Sequence, residues 1–226
     1  MRKHSIILFF IWCMVLVSYS VAEDRWSYGV KFGLVQNGFE AVPNSTESPF
    51  ALYDIEGQTG FMVGAFYEYQ LAPVKVPGLA FTFGIGYKFN YLKGDYATAD
   101  DPPVIGDFKN YFHILDVPIG FKYAIQQMNG RPFVAMGVQT DYILGESQTL
   151  STVGEHAMDV DTVPDYNSRI NAGIYFGGGF DIPGKKYSYI IEFRYVRWMR
   201  DNFLASTSYF VRKDGEFQFT LGIKVN

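Results

Sequence analysis

Residues 79–93 read LAFTFGIGYKFNYLK. Every second residue from Leu79 gives Leu, Phe, Phe, Ile, Tyr, Phe, Tyr and Lys, and those between are Ala, Thr, Gly, Gly, Lys, Asn and Leu. A period of two marks a β-strand, whose successive side chains point to opposite faces. The fold turns on which face meets water. A soluble sheet packs its bulky apolar face inward, whereas here the glycines and charges are the candidates for the inside.

The same alternation recurs over 26–36, 57–70, 79–92, 109–125, 132–146, 169–182, 187–200 and 213–226, which predicts eight strands and no convincing helix. The connections alternate in length. Long polar stretches, 37–56, 93–108, 147–168 and 201–212, follow strands one, three, five and seven. Short links follow the others: Leu71 to Gly78, Gln126 to Arg131 and Pro183 to Lys186, with turn chemistry at Met128-Asn129-Gly130 and Pro183-Gly184. Strict alternation puts every long loop at one end of an up-and-down barrel and every turn at the other, the layout of a transmembrane barrel with external loops and periplasmic turns.

Volume decides which face is inside. One face collects Trp26, Tyr28, Val30, Phe32 and Leu34, then Phe61, Val63 and Tyr67, then Leu115, Val117, Ile119, Phe121 and Tyr123, and so on to Phe217, Phe219, Leu221, Ile223 and Val225. An eight-stranded barrel is only just wide enough to be filled by side chains, so this set overfills it. The opposite set, glycines with some long polar chains, fits. It brings Lys31, Lys88, Lys122, Arg194 and Lys224 inside with Glu68, Asp116, Asp141, Asp181, Glu192 and Glu216. These charges nearly balance, as a buried salt-bridge network requires, because an unpaired buried charge costs several kcal/mol. The rings then face lipid, and Tyr28, Tyr67, Tyr69, Tyr87, Tyr91, Tyr123, Tyr142 and Tyr189 lie toward strand ends as interfacial girdles would. Closure is obligatory, since unpaired backbone groups cost several kcal/mol each in hydrocarbon. An inward proline, Pro118, removes a ladder donor and suggests a bulge.

The first 22 residues fit a secretory signal peptide: Arg2 and Lys3, an apolar run over 6–17, then Ser20-Val21-Ala22 as a small-residue cleavage site. Cleavage removes Cys13, the only cysteine, and leaves residues 23–226 as one exported domain without disulfides. With Arg2 and Lys3 removed from the 19 basic residues, 17 remain against 23 acidic ones, a net charge of −6. That balance excludes the basic footprint of nucleic-acid binding.

The run Leu115-Asp116-Val117-Pro118-Ile119-Gly120-Phe121-Lys122-Tyr123 resembles the bacterial outer-membrane β-barrel domain family, similar in architecture to the small OmpA-like and OmpX-like barrels. Tyr28-Gly29-Val30-Lys31-Phe32-Gly33-Leu34 looks like that family's first strand, and Glu192-Phe193-Arg194-Tyr195 like its penultimate one. The resemblance implies an all-β, eight-stranded antiparallel barrel in the outer membrane of a Gram-negative envelope. Its implied partners are outer-membrane lipids and lipopolysaccharide, and an envelope or extracellular protein reached through 37–56, 93–108, 147–168 and 201–212.

No catalytic constellation, cofactor motif or metal-ligand spacing emerges. His113 has lipid-facing parity and no serine beside it; His156 sits in a polar loop with Glu155 and Asp159. Neither matches a rigidly held nucleophile–base pair. The loop carboxylates Asp95, Asp100, Asp101, Asp107, Asp161 and Asp165 follow no defined calcium-loop spacing. The expectation is therefore a non-enzymatic barrel, porin-like in fold, with a plugged polar lumen and four displayed loops serving a structural, adhesive or partner-binding role. A narrow channel and a lipid-modifying enzyme stand as alternatives.

Overall fold

The computed structural model describes residues 25–41, 50–57, 59–71, 77–125, 130–152, 158–159, 169–199 and 210–225. The predicted signal peptide and His156 lie outside them. Ten strands are seen: β1 (Trp26–Ala41), β2 (Phe50–Gly57), β3 (Thr59–Gln70), β4 (Leu79–Thr98), β5 (Ile105–Ala124), β6 (Arg131–Thr152), β7 (Met158–Asp159), β8 (Ile170–Pro183), β9 (Tyr187–Trp198) and β10 (Phe210–Val225). β2 and β3 run in line along β4, and β7 is a two-residue pairing with β6, so the barrel has eight staves. Every pairing is antiparallel, and the sheet closes where β1 pairs with β10, from Tyr28 opposite Val225 to Ala41 opposite Phe210.

The strands are longer than the alternation predicts. β4 and β5 each run 20 residues and β6 runs 22. At about 3.3 Å per residue such strands reach roughly 66–73 Å, whereas about 9–11 tilted residues cross the hydrocarbon. Much of what reads as loop is strand that projects beyond the membrane: 37–41, 50–56, 93–98, 105–108, 147–152 and 210–212 all belong to strands. Over 93–98 and 147–152 glycine and polar residues interrupt the alternation, so the apolar period ends before the strand does.

Pro118 does not mark a bulge. It stands opposite Gln139, and the β4–β5 register is the same on either side, Phe83 opposite Ile119 and Gly86 opposite Asp116. The irregularity falls instead at His113 and Ile114, which face Gly145 and Ile143 and leave Leu144 as the extra residue.

The bulky face is outside: Phe193 is 62 % exposed and Phe217 64 %. The interior nonetheless holds more than glycine and charge. Phe66, Phe133, Tyr175, Ile190, Val196 and Trp198 are buried in one inward cluster. Cross-strand glycines make the room. Gly29 stands opposite Phe66, Gly137 opposite Tyr175 and Gly173 opposite Trp198. A Cβ on Gly137 would lie 2.8 Å from Tyr175 Cε1, closer than carbon atoms pack.

Candidate functional site

All eleven charged side chains assigned to the lumen are buried within the barrel, and the structure brings them together in three groups. Toward the outer end, Lys88 Nζ lies 2.7 Å from Asp141, 3.1 Å from Glu216 and 3.5 Å from Asp116. Asp116 and Asp141 are directly opposed across β5 and β6, so one ammonium serves three carboxylates. At mid-height, Arg194 donates to Glu192 at 2.8 Å and to Gln139 Oε1 at 3.3 Å, and Lys31 stands 3.6 Å from Glu192. Toward the periplasmic turns, Lys122 and Lys224 share two acceptors, Glu68 at 2.7 and 2.9 Å and Asp181 at 3.4 and 2.5 Å.

The period-two logic explains these positions. Lys88, Asp116, Lys122, Arg194 and Lys224 each sit between two outward apolar or aromatic residues, so membrane insertion forces them inward. Once inside, each charge must find a partner, because desolvation without one costs several kcal/mol. Inward aromatic rings complete this arrangement. The Arg194 guanidinium lies 4.1 Å from the Tyr175 ring centre, Lys122 Nζ 4.3 Å from that of Phe133 and Lys88 Nζ 5.1 Å from that of Trp198. Each cation is thus held by carboxylates on one side and a π face on another. Their inward parity was the available signal, since Phe133, Tyr175 and Trp198 share faces with Gly137, Gly173 and Arg194.

Between the middle and lower groups lies a cavity of about 40 Å³, lined by Lys31, Glu68, Lys122, Glu192, Arg194, Tyr175 and apolar neighbours. It has room for a few waters and for little else.

His113 faces outward with Tyr87, whose hydroxyl is 2.5 Å from His113 Nδ1. No group of three or more His, Cys, Asp and Glu side chains suited to a metal ion occurs among the described residues. No curated protein matches the chain. Among solved structures it is similar to the outer membrane protein OprG from Pseudomonas aeruginosa (10 % identity, 89 % of this chain and 97 % of that one, TM-score 0.44). It is similar also to Neisserial surface protein A (11 %, 88 % and 96 %, TM-score 0.41) and to the attachment invasion locus protein Ail of Yersinia pestis (12 %, 88 % and 99 %, TM-score 0.37). A family model described as the outer membrane protein beta-barrel domain matches residues 19–203. The chain belongs to that family, and the membrane its closed, inverted barrel crosses is the bacterial outer membrane.

Proposed function

We propose that the protein is a non-enzymatic barrel whose lumen is closed by its charge network and whose projecting strands present a partner-binding or adhesive surface outside the cell. The observation that carries this reading is the continuous filling of the lumen. Among the described residues, three ion-paired groups and an inward aromatic cluster occupy it from Glu216 and Lys88 down to Lys224 and Asp181, with a small cavity between the middle and lower groups. A filled tube does not pass solutes, so selection acts on what the barrel displays. The strand extensions at 37–41, 50–56, 93–98, 105–108, 147–152 and 210–212 are the surface on offer, together with the lipid-facing wall that contacts outer-membrane lipid. In this reading residues 1–22 direct export and 23–226 form the barrel.

The rival reading is a narrow channel for small solutes. Single-channel recording of the purified chain in planar bilayers separates the two: closed bilayers at physiological salt support the plug, and reproducible unitary currents overturn it. Crosslinking on intact cells followed by purification then tests the partner reading, which predicts adducts mapping to the projecting strands.

A further inference from the structure

Lys31 is held more loosely than the rest of the lumen's cations. Lys88, Lys122, Arg194 and Lys224 each have a carboxylate oxygen within 2.9 Å. The Lys31 ammonium faces Glu192 at 3.6 Å, beyond hydrogen-bonding reach, although its side chain is only 9 % exposed. Glu192 is already engaged, accepting from Arg194 Nη2 at 2.8 Å and from Nε at 3.3 Å. The register leaves Lys31 room to extend: it stands opposite Gly222 on β10 and Gly64 on β3, which have no side chains. An ammonium carries three donors, and burying them without acceptors is costly. Lys31 borders the cavity between the middle and lower groups, so its donors have that space to serve.

Charge points the same way. The cavity is lined by three cations, Lys31, Lys122 and Arg194, against two carboxylates, Glu68 and Glu192. The lower group is balanced, with two lysines against Glu68 and Asp181. The excess therefore belongs to the middle group, where Lys31 and Arg194 share Glu192. Asp116 of the outer group attracts both cations at longer range, which supplies no acceptor to the Lys31 ammonium. Thr82, Thr220 and Tyr175 add hydroxyl-bearing side chains to the wall. The volume of about 40 Å³ matches roughly three water positions, which suits a single-atom anion with a water or two.

We propose that this cavity is a halide site, in which one chloride ion accepts from the Lys31 ammonium and is held by the excess positive charge of Lys31 and Arg194. The ion brings the middle group to neutrality, because two cations then face one carboxylate and one halide. It also gives Lys31 the acceptor that Glu192, turned to Arg194, does not provide. The site stands apart from the display role and from the plug, since a filled lumen passes no solute whether the cavity holds chloride or water alone.

The test is urea unfolding of the full chain in phosphatidylcholine vesicles as chloride replaces gluconate at constant ionic strength, which holds screening fixed. A ligand of the folded state stabilises it by mass action. Once the site is filling, each tenfold rise in chloride should lower the unfolding constant about tenfold. K31Q should flatten that dependence and K31R should keep it. K186Q, at the exposed periplasmic turn, should leave it unchanged. E192Q removes the carboxylate that opposes the anion and should bring the onset to about tenfold lower chloride, which carries the test if K31Q fails to fold. Bromide should replace chloride and give an anomalous peak beside Lys31 in crystals of the folded chain. Unfolding indifferent to chloride, a slope that folded K31Q retains, or an onset that E192Q leaves unmoved overturns the site.

Discussion

Arg194 and Tyr175 are stacked inside the barrel, the guanidinium carbon 4.1 Å from the ring centre. Beyond the ring lie Gly120 and Gly137, a cross-strand pair without side chains, and beyond the guanidinium lies Glu192 at 2.8 Å. A bare patch of sheet, an aromatic ring, a cation and a carboxylate therefore follow one another across the lumen. The order explains how a narrow tube accommodates both a tyrosine and an arginine: the sheet contributes no volume where the ring lies.

Gly137→Ala places a methyl 2.8 Å from Tyr175 Cε1 and 2.6 Å from Gly120 Cα, so ring and strand must both shift. Overpacking of this kind typically costs about 1–3 kcal/mol. Urea unfolding in lipid vesicles should show that loss, whereas Gly130→Ala, with open space around the added carbon, should leave the midpoint nearly unchanged.

Lys88→Met should be the most damaging lumen lysine substitution. Lys88 meets three carboxylates, whereas Lys122 and Lys224 share two, so Lys122→Met leaves Lys224 between Glu68 and Asp181. Breaking a buried pair costs about 3–5 kcal/mol, and the loss should approach that figure for Lys88 and fall well below it for Lys122. Equal destabilisation by the two would contradict the grouping described above.

A charge on the outer wall distinguishes membrane from water. Phe193→Arg on the lipid-facing side of β9 should cost about 2–4 kcal/mol in a bilayer if that position lies near the midplane. An exposed position on a soluble barrel would tolerate it with little change. Folding titrations in vesicles give the difference directly.

Emptying the middle of the lumen should open it. Lys31→Ala, Glu192→Ala and Arg194→Ala together remove three of the five charged side chains that line the cavity beside Tyr175. Planar bilayers are expected to carry currents with the triple variant and none with the parent chain.

The inversion of the barrel was legible because the apolar set is too large for the tube, and the eleven inward charges follow from parity alone. Tyr175 shares the inward parity of Gly173, but Ile174 and Phe176 beside it make three bulky residues in a row and mask the alternation. Ile190 beside Ile191 and Phe66 beside Tyr67 are obscured in the same way. Their burial depends on which strand supplies a facing glycine, a register property that one strand's pattern does not contain. The projecting strands escaped for a different reason. Above the membrane both faces meet water, so pairing with a neighbour, as Lys93 pairs with Lys109, holds the strand without any hydrophobic period. Gln139 and Asp141 share the inner face by parity, and the bulge at Leu144 beyond them is marked in the sequence by a single neighbouring glycine, Gly145.

The seam between Lys31 of the first strand and Gly222 of the last joins segments about as far apart in the chain as the domain allows. Such distant pairing makes closure slow and places it late. In hydrocarbon the opening strand would have one side unsatisfied until the final segment pairs with it. Assembly is therefore an all-or-nothing event that follows translocation, and a chain truncated before residue 210 would present two raw edges to every neighbouring precursor in the periplasm.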